Sequence, residues 1–245
     1  MNNGRLCSSV QCTCADGVLD PEGAHLAALR RLGDFAGARV CEVGCGDGRL
    51  TTGIARDAAT VFAFDPDAGR IVEARRRLPD HLHDIVTYEV GSAREIESPQ
   101  GEFDIVVFSW SLCCMQRDDV VHAVRRFREA LAPGGTILDL QVVAPGPVVE
   151  VDGEVVCRLE GGSLLERAAA AAAVIDEEIA RGLLREEAVD DHDVLRHFST
   201  GASLIEHFQA RVRSVPASAL PVLEASARPY VVREACRSRR LRRIS

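Results

Sequence analysis

The sequence predicts an α/β fold in which a doubly wound, mostly parallel sheet carries helices on both faces. Short apolar runs alternate with helical patterns between residues 20 and 141, and the run "FDIVVFSW" is apolar on both faces. Strands of that kind are typical of parallel sheets that are covered on both sides. A glycine-rich stretch follows the first run, as expected where a strand turns into a helix. The 245 residues suffice for one such domain with an insertion.

The first predicted helix lies in "DPEGAHLAALRRL", where Asp20 can cap the helix and Pro21 suits its first position. Five short apolar strands and three further helices then alternate along the chain. The strands are predicted at 40–43, 60–64, 84–90, 103–110 and 136–141, and the helices at 49–57, at 66–78 and from a cap at Asp118 to the breaker "APGG".

The pattern changes after Gln141. "VVEVDGEVVCRL" predicts a hairpin about Asp152-Gly153, a favoured two-residue turn. Ser163 and Glu166 form a capping box that begins a long helix, and "YVVREAC" is the predicted last strand. No internal repeat or linker divides the chain. We therefore expect a flexible tail at 1–18 and a single domain at 19–245, which comprises a core at 19–145, a substrate-covering insertion at 146–215, and a last strand with a basic tail at 216–245.

Composition narrows the classes of function. The net charge of −8 argues against broad nucleic-acid binding, which favours a basic surface. No apolar run approaches the roughly 18–20 residues of a membrane helix, and the N-terminus lacks the apolar centre of a secretory signal. These features predict a cytoplasmic protein. Its nine cysteines need no disulfides, since several lie inside strand-like runs where a thiol acts as a small hydrophobe.

The stretch "RVCEVGCGDGRLT" places Gly44, Gly46 and Gly48 directly after the first predicted strand. Glycine there permits positive φ and lets a ligand approach the backbone closely, beyond the carboxyl ends of the strands. The spacing G-x-G-x-G departs from the dinucleotide fingerprint, and no Gly-Lys-Ser/Thr follows. Glu42 and Asp47 disfavour a phosphate, because carboxylates repel it. They favour a ligand with a positive centre or an amino group.

These residues resemble motif I of the class I S-adenosylmethionine-dependent methyltransferases, to whose usual form "EVGCGDGRLT" is close. The acid Asp65 lies 21 positions after Gly44, and "GSA" at 91–93, "FDIVVFSWSL" and "LAPGGTILDL" follow in the family's order. The resemblance covers roughly residues 20–145. It implies a Rossmann-like, seven-stranded sheet whose last strand is antiparallel. It also implies S-adenosyl-L-methionine as cofactor and an enzyme that methylates oxygen, nitrogen or carbon of a small-molecule acceptor.

The resemblance also implies which residues bind the cofactor. Asp65 would bind the ribose hydroxyls, and the glycines would make room for the methionine end. Ser92 stands where the family usually has an aspartate beside the adenine, so its hydroxyl would accept from the adenine amine without a full charge. The predicted cofactor-binding residues are Glu42, Gly44, Cys45, Gly46, Gly48, Asp65, Ser92, Ala93, Ser109 and Trp110.

No catalytic residue is predicted, because the sulfonium already makes the methyl electrophilic and the protein must mainly hold the acceptor in line. Trp110 could pack against adenine or the acceptor, or could be a core aromatic residue. Ser111, Cys113 and Cys114 lie just beyond the fourth strand, near the predicted methyl. More distant candidates for a base or a cation-attracting surface are His192, His197, His207, Asp190, Asp191 and Asp193.

Several alternatives remain open. The chain could be a non-catalytic S-adenosylmethionine-binding module, or an aminopropyl transferase or cofactor-dependent cyclase on the same scaffold. The pair Cys113-Cys114, together with Cys7, Cys12 and Cys14, would suit an arsenite methyltransferase. The tail "RSRRLRRIS" would suit an RNA methyltransferase, although arginines on an edge strand and a frayed terminus also account for it.

Overall fold

The computed structural model describes residues 17–97, 101–160, 162–209, 213–225 and 228–244. Cys7, Cys12 and Cys14, with the predicted tail up to residue 16, lie outside the described residues. The described residues form seven α-helices and nine β-strands. The helices are α1 Ala24–Leu32, α2 Arg49–Ala55, α3 Ala68–Arg77, α4 Arg117–Ala130, α5 Gly162–Ala180, α6 Gly201–Gln209 and α7 Leu220–Glu224. The strands are β1 Arg39–Val43, β2 Thr60–Asp65, β3 Val86–Val90, β4 Phe103–Ser109, β5 Leu131–Val142, β6 Val148–Val151, β7 Glu154–Arg158, β8 Leu184–Phe198 and β9 Tyr230–Arg243.

The chain divides into two compact units. The described residues of the large unit lie within His25–Gln141, Ala170–Asp190 and Arg237–Ser245, and those of the small unit lie within Met1–Ala24, Val142–Ala169 and Asp191–Cys236. The predicted division at 19–145, 146–215 and 216–245 follows different boundaries and stays a prediction. No helix among the described residues is both long enough and apolar enough to cross a membrane.

The predicted doubly wound, mostly parallel α/β sheet is confirmed. Its strands follow the order β3-β2-β1-β4-β5-β9, and β8 pairs with β9. The pairs β1–β2, β1–β4, β2–β3 and β4–β5 are all parallel. The carboxyl ends of these strands therefore meet at one edge, where Val43 lies beside Phe64 on β2 and Phe108 on β4.

Helices cover both faces of this sheet in the large unit. Apolar residues of α1, α2 and α3 pack against one face, around Val40 and Leu138. Apolar residues of α4 and α5 pack against the other face, around Cys41 and Val106. Burial on both faces is the physical reason that β1 and β4 carry almost uninterrupted apolar runs.

Three predicted helix starts are wrong. Asp20 caps from a greater distance than expected: its Oδ1 accepts from the Ala24 amide at 2.6 Å, and α1 begins at Ala24 because Gly23 adopts φ +73°. Asp118 lies in the first turn of α4, whose N-cap is Gln116. Ser163 lies inside α5, and its hydroxyl accepts from Arg167 Nη1 at 2.8 Å, so it does not cap that helix.

The segment "APGG" belongs to a strand and does not end the preceding helix as a loop. β5 begins at Leu131, and its register against β4 shifts between the pairs Phe103–Leu131 and Ile105–Thr136. The extra β5 residues form an irregularity of the β-bulge kind, which accommodates a proline and glycines that regular pairing disfavours.

The small unit contains the predicted hairpin. β6 and β7 are antiparallel, and Asp152 and Gly153 adopt φ +49° and +82° in the turn, as a type I′ turn requires. A register shift between Val149 and Glu150 explains why the apolar positions of the hairpin do not alternate cleanly. β6 also pairs antiparallel with β9, and an apolar cluster that includes Phe198 and Tyr230 forms the core of this unit.

Candidate functional site

The turn from β1 to α2 is built from three glycines in the left-handed region. Gly44, Gly46 and Gly48 have φ of +76°, +59° and +77°. A Cβ at Gly44 would lie 2.6 Å from Ser111 Cβ, and one at Gly46 would lie 3.4 Å from Arg70 Nη1. The positive φ values therefore disfavour side chains throughout this turn, lack of space excludes one at Gly44 as well, and the backbone stays open to a ligand at the carboxyl end of β1.

Asp65 joins the end of β2 to this turn. It is only 7% exposed, and its two carboxylate oxygens have separate backbone partners. Oδ2 accepts from the Gly46 amide at 2.9 Å, and Oδ1 accepts from the Asp67 amide at 2.9 Å. The carboxylate thus fixes the middle of the glycine turn, and each oxygen keeps a further lone pair for a ligand hydroxyl.

Glu42 and Asp47 have different surroundings. Glu42 is 2% exposed and its Oε2 accepts from Thr51 Oγ1 at 2.6 Å. Burial raises the pKa of Glu42 to about 7, and the charge of Arg49 opposes part of that rise. Asp47 is half-exposed and forms an ion pair with Arg77. Glu42 is therefore the acid that a buried cationic group would meet, whereas Asp47 already has a counter-ion.

The residues predicted beside the adenine follow β3. Ala93 is buried, and half-buried Ser92 donates from Oγ to Glu95 Oε2 at 2.8 Å. Because that hydroxyl proton is used, Ser92 Oγ offers only lone pairs to a neighbour. Glu95, three residues downstream, places a negative charge next to this hydroxyl. Glu95 was not among the predicted site residues, although its i+3 spacing from Ser92 is a signal in the sequence.

Ser109 ends β4, and Trp110 follows in an unusual conformation with φ +52°. The left-handed region costs a bulky residue about 1–3 kcal/mol. The backbone here is held from several sides: the Trp110 amide donates to the Leu140 carbonyl at 2.9 Å, and the thiols of Cys113 and Cys114 donate to the Trp110 carbonyl at 3.3 and 3.4 Å. The cysteine pair therefore stabilises the Trp110 backbone.

His25 was not among the predicted site residues, yet it contacts Trp110. His25 on α1 is fully buried, and its ring lies 5.0 Å from that of Trp110 in an edge arrangement. Its Nδ1 lies 2.9 Å from Arg49 Nη2. Since arginine can only donate, Nδ1 must accept, which makes His25 neutral with its proton on Nε2. His25 shares the buried face of α1 with Ala28, and a histidine on that face was a signal in the sequence.

Of the remaining candidate residues, one lies in the glycine turn and three lie in the small unit. Cys45 is buried within the turn, and burial raises the pKa of its thiol, so the thiol stays protonated. His192, His197 and His207 belong to the small unit, where His197 Nε2 lies 2.6 Å from Glu22 Oε1.

The acidic run and the basic tail have partners elsewhere in the chain. Asp190 pairs with Arg31, and Asp193 pairs with Arg233. The predicted frayed tail is wrong, since β9 continues to Arg243 and its arginines bind carboxylates and backbone carbonyls. The arginines with such partners include Arg239, Arg240, Arg242 and Arg243.

Comparison with known proteins agrees with this geometry. Residues 40–135, which include the glycine turn, Asp65, Ser92 and Trp110, match the family described as "Methyltransferase domain". Over this part of its length the chain is similar to methyltransferases. Magnesium-protoporphyrin O-methyltransferase of Rhodobacter capsulatus is 37% identical over 87 residues, which are 36% of this chain and 38% of that protein.

Solved structures share the fold of this chain. A putative methyltransferase from Bacillus halodurans C-125 superposes with a TM-score of 0.58 at 18% identity and covers 91% of this chain and 100% of its own. The [4+2]-cyclase SpnF superposes with a TM-score of 0.52 at 19% identity, covering 91% and 82%. The chain spans about half or less of the length of the curated relatives it matches.

Proposed function

We propose that this protein transfers a methyl group from S-adenosyl-L-methionine to an oxygen, nitrogen or carbon atom of a small-molecule acceptor. The observation that carries the proposal is the bond from the Gly46 amide to Asp65, which ties an open glycine turn to an acid on the neighbouring strand. A backbone without side chains and a carboxylate on the neighbouring strand fit a nucleoside, and the G-x-G-x-G spacing departs from the fingerprint of a pyrophosphate-containing dinucleotide.

Each end of the cofactor has matching residues in this proposal. Asp65 would accept hydrogen bonds from the two ribose hydroxyls. Ser92 Oγ, with Glu95 behind it, would accept from the adenine amine beside Ala93. Glu42 would face the positively charged tail, and Gly44, Cys45, Gly46 and Gly48 would leave that tail its space. Ser109 and Trp110 would line the side from which the acceptor enters.

Methyl transfer from a sulfonium requires few catalytic side chains. When bound, S-adenosylmethionine supplies an electrophilic methyl group on its sulfonium. The chain must orient the acceptor and exclude water, and both tasks contribute through proximity and orientation. A general base is needed only for an acceptor that is protonated at the working pH. The rigid backbone at Trp110, held by Leu140, Cys113 and Cys114, suits the orienting role.

The relative from Rhodobacter capsulatus supports an acceptor of the small-molecule type, because it is a magnesium-protoporphyrin O-methyltransferase. A second candidate is a cofactor-dependent cyclase, since SpnF shares the fold. A non-catalytic S-adenosylmethionine-binding module is the third. Product analysis with a panel of acceptors separates the first candidate from the other two, because only a methyltransferase converts S-adenosylmethionine to S-adenosylhomocysteine.

Calorimetric titration with S-adenosylmethionine, S-adenosylhomocysteine and NADH tests the proposal directly. We expect micromolar binding of the two sulfur nucleosides and no binding of NADH. Asp65→Ala should weaken S-adenosylhomocysteine binding by at least about tenfold, as expected for lost hydrogen bonds to a charged group. Asp104→Ala is the matched control, since Asp104 is a half-exposed acid whose partner is Arg39. Wild-type protein that binds neither sulfur nucleoside would refute the proposed function.

A further inference from the structure

Trp110 and Ser111 carry two polar atoms that the described part of the chain leaves without a hydrogen-bond partner. These are the indole Nε1 of Trp110 and the hydroxyl Oγ of Ser111, and both atoms are buried. Ser111 as a whole is 6% exposed. Buried polar atoms nearly always have partners, so two orphaned groups on consecutive residues indicate that a ligand completes them. Indole nitrogen is a donor only, and a hydroxyl can donate, so the missing partner is an acceptor.

The position of Ser111 shows where that acceptor lies. The space that a side chain at Gly44 would fill is 2.6 Å from Ser111 Cβ and 3.5 Å from its Oγ. The hydroxyl therefore stands against the first glycine of the turn, at the carboxyl end of β1. This is the space that the methionine end of the proposed cofactor would enter.

Charged groups of both signs belong to the glycine turn and the helix that follows it. Glu42 is buried behind the turn, while Arg49 begins α2 and is close enough to Glu42 to oppose the rise of its pKa. Arg49 bonds to His25, whose ring packs on Trp110. An acid, a cation and two uncharged donors together complement a zwitterion. The amino-acid tail of S-adenosylmethionine is such a zwitterion, with an ammonium and a carboxylate on one carbon.

We propose that Trp110 Nε1 and Ser111 Oγ donate hydrogen bonds to the α-carboxylate of S-adenosylmethionine. These two hydrogen bonds make the carboxylate a requirement for tight binding, and Arg49 adds positive charge nearby. The left-handed conformation of Trp110 directs its side chain, and the bonds from Cys113 and Cys114 hold that conformation. The inference rests on the proposed cofactor and adds a selectivity: decarboxylated S-adenosylmethionine, the donor for aminopropyl transfer, leaves both donors unpaired.

A binding cycle on the whole chain tests this selectivity without an acceptor. Wild type, Trp110→Phe and Ser111→Ala are titrated with S-adenosylmethionine and with decarboxylated S-adenosylmethionine, which differ only in the carboxylate. We expect wild type to prefer the complete cofactor by about thirtyfold or more, since hydrogen bonds to a charged group are the strong ones. Each variant should lose about tenfold in affinity for S-adenosylmethionine and less than about twofold for the decarboxylated form.

Both variants keep the packing that the site needs. Phenylalanine preserves a ring beside His25, and alanine preserves the Cβ beside Gly44. Ser238→Ala is the matched control, because Ser238 on β9 is also fully buried with a hydroxyl that has no partner among the described residues. This control should change neither affinity. Circular dichroism and thermal unfolding show whether each variant folds, and Ser111→Ala carries the test if Trp110→Phe does not fold.

The outcomes are distinct. Equal losses for both ligands in the variants, or no loss for either ligand, would overturn the inference and leave the proposed function standing. The second of these results would assign the two donors to the acceptor or to folding. Wild-type protein that binds no S-adenosylmethionine would overturn the proposed function, and the inference with it.

Discussion

Glu42 and Glu187 are two glutamates of the same unit, and their surroundings shift their pKa values in opposite directions. Burial behind the glycine turn raises the pKa of Glu42 to about 7. Glu187 lies on β8 beside the arginines of β9, and its hydrogen bond with Arg242, helped by Arg185 and Arg240, lowers its pKa to about 2. The first carboxyl has a single hydroxyl donor, Thr51, whereas the second has three arginines.

The difference separates a region built for a ligand from a region built for stability. Around the glycine turn, the fold tolerates a buried acid, orphaned donors at Trp110 and Ser111, and left-handed backbone. Along β9, the charges are satisfied within the chain. Strain and unpaired polar groups that a fold retains are expected where a ligand relieves them.

The largest expected effect comes from Glu42→Gln, which removes the buried acid and keeps an oxygen for Thr51. Because the folded pKa is raised from 4.5 to about 7, the free energy of unfolding of the wild type falls as pH rises through this window. The variant should therefore be more stable at pH 8 by about 2–3 kcal/mol, with the gain vanishing below pH about 4.5. Urea unfolding at pH 4.5, 6 and 8 measures this, and a pH-independent difference would contradict it.

Asp139→Asn is the control for Glu42→Gln. It tests whether the loss of affinity follows from removing any buried acid or from removing Glu42 in particular. Asp139 on β5 is 1% exposed, and burial raises its pKa to about 6, opposed by a hydrogen bond from Gln141 Nε2 at 2.7 Å. The variant should gain about 2 kcal/mol at pH 8 and nothing below pH about 3.8. Its affinity for S-adenosylhomocysteine should stay as in wild type, whereas that of Glu42→Gln should fall. Equal losses of affinity in both variants would place Asp139 in the site.

The sequence predicts those features of the fold and the site that short contiguous motifs encode. Three glycines, Asp65 and the apolar strands lie in short contiguous motifs, so the sheet, the turn and its acid could be inferred. Glu95 and His25 each leave a signal in the sequence, but that they contact Ser92 and Trp110 depends on packing that no motif encodes. The β5 bulge and the full length of β9 depend on register between distant strands, which residue patterns do not encode.

Binding of S-adenosylhomocysteine should itself depend on pH. The ammonium of the tail favours ionised Glu42, as does nearby Arg49, whereas Asp65 and Asp47 disfavour that ionisation. With a pKa of about 7 in the free protein, affinity should rise about tenfold between pH 6 and pH 8, with release of a proton on binding. Calorimetry in two buffers of different ionisation enthalpy measures that proton. Glu42→Gln should abolish both effects, and a proton release that survives in this variant would assign it to another group.

Glu187→Gln should have the smallest effect. It should lower the free energy of unfolding, whereas Glu42→Gln should raise it. Since the pKa of Glu187 is lowered, its ion pairs stabilise the fold above pH 4.5 and this contribution is lost as pH falls towards 2. The side chain is 20% exposed, so solvent and salt screen the pairs and the loss at pH 7 should be at most about 1 kcal/mol. Glu73→Gln, a surface acid with Arg76 and Arg77 as helical neighbours, should lose less. Urea unfolding at 0.05 and 1 M salt checks the order, because a loss at Glu187 that is insensitive to salt would mean that Arg240 and Arg242 position β8 by packing and not by charge.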